Sequence, residues 1–244
     1  MNAWGYTDVG KQRKENQDAY YININSENCQ AVCVVCDGMG GAKAGNVASK
    51  VAIDSFTGRV QGLLRPNRSA QQLKEIMRDA IGYANDQVHQ LAIADEKYCG
   101  MGTTLVAVLI SGDSVVIGNI GDSRAYFVDG DGIRRITRDH SLVEDMVMLG
   151  QLTEEEAKDH PNKNLITRAV GTDVSVAVDL YEFVLEPDSY LLLCSDGLSN
   201  LVSDQEMLYE IVHGRELESC CKRLTEIANA RGGFDNITSV LLAL

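Results

Sequence analysis

The chain has 244 residues, 45% of them hydrophobic, and a formal net charge of −13. That is enough apolar material for a sizeable core, and no segment has the composition of a disordered chain. The acidic balance argues against nucleic acid or an anionic membrane as the main partner, because both reward clustered Lys and Arg.

The longest apolar runs, 31–36 and 105–110, have six residues each and are far too short to span a bilayer. The opening MNAWGYTD lacks a basic segment followed by an apolar one, so no signal peptide is expected. Seven cysteines, an odd number, suit a reducing cytosol better than a disulfide framework. With three prolines and no Gly/Ser-rich linker or repeat, the expectation is a single domain over 1–244, located in the cytoplasm.

The first predicted strands cover 3–8, 19–24 and 30–36. A helix over 42–64 follows the CDGMGG turn, and a second over 69–97 opens with the capping box Ser69-x-x-Gln72. Strands over 103–111, 114–120, 124–128 and 133–137 come next, then a short helix over 142–149 and another capped by Thr153-x-x-Glu156. Strands over 175–185 and 189–194 precede a helix capped by Ser203-x-x-Glu206, a helix over 216–230 and a last strand over 238–242. Several strands (AVCVVC, LVAVLI, YLLLC, VLLAL) are continuously apolar, the pattern of strands buried on both faces. Such strands with peripheral helix pairs suggest two stacked sheets with helices outside.

Asp37 in CDGMGG, Asp122 in GDSR, Asp196 in SDGL and Asp235 in GGFDN each lie at a strand-to-turn junction beside or near glycine, and Asp18 in NQDA starts another strand. A compact fold can gather them at one sheet edge. Carboxylates about 5 Å apart repel by roughly 3 kcal/mol per pair at an effective dielectric near 20. A protein tolerates that by protonating some of them or by binding cations. The ligand atoms would be carboxylate oxygens and a backbone carbonyl such as that of Gly38, a set that selects hard ions such as Mg²⁺ or Mn²⁺. His89, His140, His160 and His213 all lie outside the acidic motifs. A single Asp-Gly pair is most often only a turn; five acids in this context are harder to dismiss.

Two other patterns carry less. Cys29-x3-Cys33-x2-Cys36 has the spacing of an iron–sulfur motif, but Cys33 and Cys36 lie three apart on a strand and point to opposite faces, so core packing is the better reading. Cys194, Cys220 and Cys221 read the same way, and Cys99 is the cysteine expected to be accessible. Asp129-Gly130-Asp131-Gly132 lies between two short strands and reads as a hairpin turn rather than a calcium loop. Arg134, Arg135 and Arg138 read as a solvated strand face, whereas Lys11 and Lys14 flank Arg13.

TDVGKQRKENQDA, CDGMGGAKAGNVAS, GTTLVAVLI, GDSRAY, TRDHSLVEDMVMLGQLTEEEA, HPNKNLITRAVG, CSDGL and DNITSVLL follow one another in that order. Together they resemble the consecutive motifs of the bacterial metal-dependent Ser/Thr protein phosphatases, the type 2C or PPM family, from Thr7 to about Leu242. The resemblance implies an α+β fold: a four-layer α-β-β-α sandwich of two stacked, mostly antiparallel sheets flanked by helix pairs, with a flap at about 140–171 beside the site. It implies that Asp37 bridges two metal ions, Mn²⁺ or Mg²⁺, and that the Gly38 carbonyl binds one of them. Asp196 and Asp235 complete the other ion's protein shell, Asp18 holds metal-bound waters, and Asp122 with Asp196 matches a third metal site. Arg13 matches the arginine that binds substrate phosphate. A water activated between the ions then attacks phosphorus in line.

Two departures stand out. Position 17 is Gln where many relatives have Glu, and position 39 is Met where eukaryotic members carry a histidine proposed as general acid; Met is common in bacterial members. His140 and His160 are expected to cap or pack. The implied function is hydrolysis of phosphoserine and phosphothreonine in proteins by a monomer, opposing a Ser/Thr kinase. Two rivals are a phosphatase of anti-sigma-factor antagonists, whose relatives usually deviate in the Arg13 and GDSR motifs, and a catalytically inactive phosphatase-like scaffold, which would be expected to lose ligands that this chain retains.

Overall fold

The computed structural model describes residues 1–184, 186 and 188–244. In chain order its strands are β1 (Asn2–Asp8), β2 (Asp18–Asn25), β3 (Gln30–Met39), β4 (Gly102–Thr103), β5 (Leu105–Ser111) and β6 (Ser114–Ile120). Then come β7 (Arg124–Asp129), β8 (Gly132–Arg135), β9 (Asp179–Val184), β10 (Tyr190–Cys194) and β11 (Ile237–Ala243). The helices are α1 (Gly41–Leu63), α2 (Ala70–Ala94), α3 (Leu142–Met148), α4 (Glu154–Lys158), α5 (Asp196–Ser199), α6 (Asp204–His213) and α7 (Cys220–Ala230).

One sheet runs β1-β11-β10-β7-β8 and the other β2-β3-β5-β6-β9, with β4 added at the end of β3. Their strand pairings are antiparallel. Side-chain alternation sorts the apolar runs into three cores. Cys33, Val35, Val106, Val108 and Ile117 of one sheet meet Phe127, Leu191, Leu193 and Val240 of the other between the sheets. Val32, Val34 and Cys36 face the opposite way, onto Phe56 of α1 and Met77 and Ile81 of α2. Tyr126, Leu192, Cys194 and Leu241 pack on Met207 of α6 and Leu224 of α7. Each fully buried large aliphatic or Phe side chain contributes about 1.5–3 kcal/mol, so both sheets are held rigidly from both faces. That is the four-layer arrangement expected, and Cys33 and Cys36 lie in different cores.

The three capping boxes form as read, at Ser69/Gln72, Thr153/Glu156 and Ser203/Glu206. Other boundaries shift for local reasons. The strand expected over 103–111 breaks at Thr104, whose N–H donates to the Asp37 carbonyl at 2.9 Å instead of continuing the ladder with β6. The helix expected to reach 97 stops at Ala94, because Asp95 is extended and its side chain accepts from the Lys97 N–H to open a separate 3₁₀ turn. The helix expected over 216–230 likewise begins as a 3₁₀ turn, Leu217–Ser219, before α7. The strand expected over 133–137 ends at Arg135, and the one expected from 175 begins at Asp179; its predicted last residue, Leu185, lies outside the described residues. The Asp129–Gly132 segment is a hairpin turn, with the Asp131 N–H donating to Asp129 Oδ1 at 2.8 Å. No helix among the described residues is long and apolar enough to cross a membrane.

Candidate active site

Ends of both sheets open onto a cavity of about 580 Å³ whose wall includes Arg13, Gln17, Asp37, Gly38, Asp122, Asp196 and Asp235. Asp37 comes from the end of β3, Asp122 from the turn after β6, Asp196 from the first residue of α5 after β10, and Asp235 from the loop before β11. Asp18 sits behind them. It opens β2 directly opposite Asp37 in the antiparallel register and is 7% exposed. The sequence-predicted acids therefore converge from positions scattered over more than 200 residues.

Hydrogen bonds hold the Asp37 backbone, the turn that carries Asp122, and the side chains of Asp196 and Asp235. Asp37 is clamped through its backbone: its N–H donates to Thr104 Oγ1 at 2.9 Å, and its carbonyl accepts from the Thr103 hydroxyl at 2.8 Å. Thr104 Oγ1 in turn meets Ser123 Oγ at 2.7 Å, which ties Asp37 to the residue after Asp122. Gly121 takes a φ of +99°, open to glycine, and donates its N–H to His140 Nδ1 at 3.1 Å. The Gly38 backbone touches the first turns of α1: a Cβ on Gly38 would lie 2.0 Å from the Gly45 carbonyl oxygen, and one on Gly45 2.6 Å from the Gly38 oxygen. Glycine at both positions permits that approach. Asp196 Oδ2 accepts from Asn200 at 3.1 Å, and Asp235 Oδ2 accepts from Arg13 at 2.7 Å.

Burial is the largest cause raising the carboxyls of Asp18, Asp37, Asp122 and Asp196 above their ordinary value, and neighbouring acids add to it. Asp18 Oδ1 and Asp196 Oδ1 are buried with no hydrogen-bond partner. An orphaned buried carboxylate oxygen is costly, and a hard cation or its water shell is the group that would satisfy it. Among the described residues no three acidic, histidine or cysteine side chains yet close around one point as ligands of a single ion; Asp235 is engaged by Arg13. The donor set nonetheless fits hard divalent cations, since Asp37, Asp122, Asp196 and Asp235 supply carboxylate oxygens to the cavity and no histidine or cysteine lines it among the described residues.

Several residues around the site lie within the quoted motifs but are assigned no role in the site from sequence. Asn236 accepts from the Gln17 N–H at 2.8 Å and donates to the carbonyls of Val9 and Glu15, so it sets the path of the Arg13 loop. Arg124 grips Asp139 with three N–H···O contacts of 2.7–3.1 Å. Asn164 and Ile166 reach the cavity from the segment expected to form the flap. His140 is buried, with Nδ1 accepting from Gly121 and Nε2 donating to Asp179 at 3.1 Å, so it packs, and burial lowers its pKa. His160 Nδ1 accepts from the Asn162 N–H in a local turn. The arginines read as a solvated strand face do more than that: Arg135 and Arg138 pair with Glu144 and Asp145 of α3, and Arg134 lies over the Phe127 ring. Lys14 lines the cavity; Lys11 does not. Cys99 is exposed as expected; Cys29, for which the sequence carries no such expectation, is exposed too.

The profile of a family described as Protein phosphatase 2C matches residues 10–240. The chain belongs to that family. It is 37% identical to the serine/threonine phosphatase stp of Listeria welshimeri, over 99% of this chain and 95% of the relative. It is also 37% identical to the protein phosphatase PhpP of Streptococcus pneumoniae, over 98% and 95%. The serine/threonine phosphatase Stp1 of Staphylococcus aureus superposes with a TM-score of 0.92 at 41% identity, covering 100% of this chain and 95% of that one. The Mycobacterium tuberculosis serine/threonine phosphatase PstP/Ppp gives 0.86 at 32% identity, over 98% and 97%. This protein is thus a bacterial-type Ser/Thr protein phosphatase acting on phosphorylated proteins, and its family implies dependence on divalent metal in general.

Proposed function

We propose that the cavity hydrolyses phosphoserine and phosphothreonine with two core Mn²⁺ or Mg²⁺ ions, and that it opposes a bacterial Ser/Thr kinase. The observation that carries this reading is the convergence of Asp37, Asp122, Asp196 and Asp235 with Arg13 on one cavity. Asp37 would bridge the ions, the Gly38 carbonyl would hold one, and Asp196 and Asp235 the other. Asp122 with Asp196 would hold a third. When bound, such ions supply an activated water nucleophile near neutral pH and offset charge on the phosphoryl oxygens.

The chain's own residues account for the rest. Arg13 is half-exposed, and solvent screens its pair with Asp235, so its planar fork can exchange that carboxylate for phosphate oxygens. Asp18, fixed opposite Asp37, orients water from behind the ligand set. Gln17 offers an amide at the cavity wall, one negative charge fewer than the Glu of many relatives. Met39 on the same wall has no proton to give, and no histidine lines the cavity among the described residues. The phosphate would enter under residues 140–171, acting as a flap on a single domain over 1–244. A monomer in the cytoplasm fits the seven free cysteines.

The test is cleavage of a phosphothreonine peptide by the purified protein. Activity should appear with Mn²⁺, vanish with chelator and be abolished by Asp196→Asn. No cleavage with Mn²⁺, or an Asp196→Asn variant as active as the parent, would sink the reading.

A further inference from the structure

Ser195 stands at the N-cap position of α5, where serine ordinarily accepts a backbone N–H from the first turn. Here its side chain makes no such bond. The hydroxyl is fully buried and turned the other way: it accepts from the Thr238 N–H at 3.0 Å and donates to Asp18 Oδ2 at 2.8 Å. Because the Thr238 N–H occupies the oxygen from one side, the hydroxyl's single proton is directed to Asp18. The other Asp18 oxygen, Oδ1, has no partner. A second line of polar side chains leads to Thr238, whose side chain hydrogen-bonds Asp18. Asn16 Nδ2 donates to Thr7 Oγ1 at 2.8 Å, and Thr7 Oγ1 lies 2.7 Å from Thr238 Oγ1.

We propose that Ser195 is a positioning residue for Asp18: by holding Oδ2 from the protein side, it fixes the carboxylate plane and leaves Oδ1 as the atom presented to metal-held water. The inference rests on the metal reading given above. It assigns the serine of the SDGL motif a task distinct from helix capping, and it explains why a hydroxyl is spent there while the α5 N-terminus goes without a side-chain cap. Outer partners that orient a ligand typically change metal affinity or activity 10- to 100-fold when removed.

The experiment compares the full chain with Ser195→Ala, Asp18→Asn and the double variant, each stripped with chelator and titrated with Mn²⁺ alone by calorimetry and by the EPR signal of free Mn²⁺. Hydrolysis of p-nitrophenyl phosphate is then measured against Mn²⁺ concentration. Ser195→Ala should raise the Mn²⁺ half-saturation by about 10- to 100-fold while the KM for the ester at saturating Mn²⁺ stays within about twofold. In the Asp18→Asn background the serine change should add nothing further. A merely structural serine would lower the melting temperature and leave the titration in place. Should Ser195→Ala fail to fold by circular dichroism, Ser195→Cys, with a weak donor in nearly the same space, is read by the same criteria. Wild-type Mn²⁺ titration in the serine variant, or a full additive loss in the double variant, overturns the proposal. An Asp18→Asn protein that titrates like wild type overturns the metal role of Asp18 itself, and the serine's task with it.

Discussion

Two ion pairs in this molecule have nearly the same geometry and very different surroundings. Arg124 reaches Asp139 at 2.7–3.1 Å through Nε and Nη2, and Arg59 reaches Asp79 at 2.6 and 3.0 Å through the same atoms. The Arg124 and Asp139 side chains are 22% and 8% exposed, those of Arg59 and Asp79 47% and 43%. Asp139→Ala leaves the Arg124 guanidinium with a hydrogen bond to Tyr126 OH at 3.3 Å in a largely dry setting. Breaking a buried pair from one side costs about 3–5 kcal/mol, and the residual exposure of Arg124 favours the lower end, about 3 kcal/mol. At about 2–4 °C per kcal/mol for a chain of this size, the melting temperature should fall by roughly 6–12 °C. Asp79→Ala should move it by no more than about 2 °C. Removing both charges, as in Arg124→Met/Asp139→Ala, should recover part of the loss, because the penalty lies in the stranded charge. The assay is thermal unfolding of metal-saturated protein by circular dichroism, cross-checked by urea midpoints. Equal shifts for Asp139→Ala and Asp79→Ala would refute the argument that burial, and not bond geometry, sets the cost.

Other outcomes follow from the site. In the chelated protein Asp18 is pushed up to about 7 and Asp122 to about 8 from 3.8, so the folded state binds more protons than the unfolded one between those limits and stability falls as pH rises through them; the chelated protein should melt higher at pH 5.5 than at pH 8, and a flat or rising profile contradicts this. Gly45→Ala gains helix propensity but puts a Cβ 2.6 Å from the Gly38 oxygen, about 1–3 kcal/mol of strain, so phosphatase activity should drop more than tenfold. The matched change Gly82→Ala, where nothing lies within 4 Å, should raise stability by about 0.5–1 kcal/mol by urea unfolding and leave activity alone. Arg13→Ala should lower kcat/KM by roughly 10- to 100-fold, mostly through KM, with Mn²⁺ affinity by calorimetry not weakened, because the change frees Asp235.

Much of the architecture could be read from the chain because its signals are local. Continuous runs such as AVCVVC and LVAVLI mark strands covered on both faces, and each capping box fixes a helix start within four residues. The five acids could be read because glycine turns and strand ends flag them. The groups that hold those acids could not. Ser195 is 177 residues from Asp18, Asn236 is 219 from Gln17, and Thr104 reaches back 67 residues to Asp37. A hydroxyl or amide whose partner is that distant leaves no periodicity and no spacing to detect. Arg135, at the end of β8, and Arg138, beyond it, mislead for a related reason: their partners, Glu144 and Asp145, lie on the short helix α3, whose docking beside them the sequence pattern does not specify.

The largest cause raising each of the four buried carboxyls is burial, ahead of the repulsion among them. That ordering bears on why the site sits where it does. Mutual repulsion could be relieved by spreading the acids over the surface, but then solvent would screen whatever they bound. Placing them at the ends of strands packed from both faces keeps the backbone from relaxing away, so the unfavourable state is retained and, in the reading proposed above, cations would compensate it. The Thr104 hydroxyl, which accepts from the Asp37 N–H and meets Ser123 Oγ, and the Gly38–Gly45 approach serve the same end, since they tie the loops that carry the acids to the rigid layers behind. On the proposed metal reading, stability given up in the metal-free protein would be converted into a preorganised donor set, the exchange that functional sites commonly make.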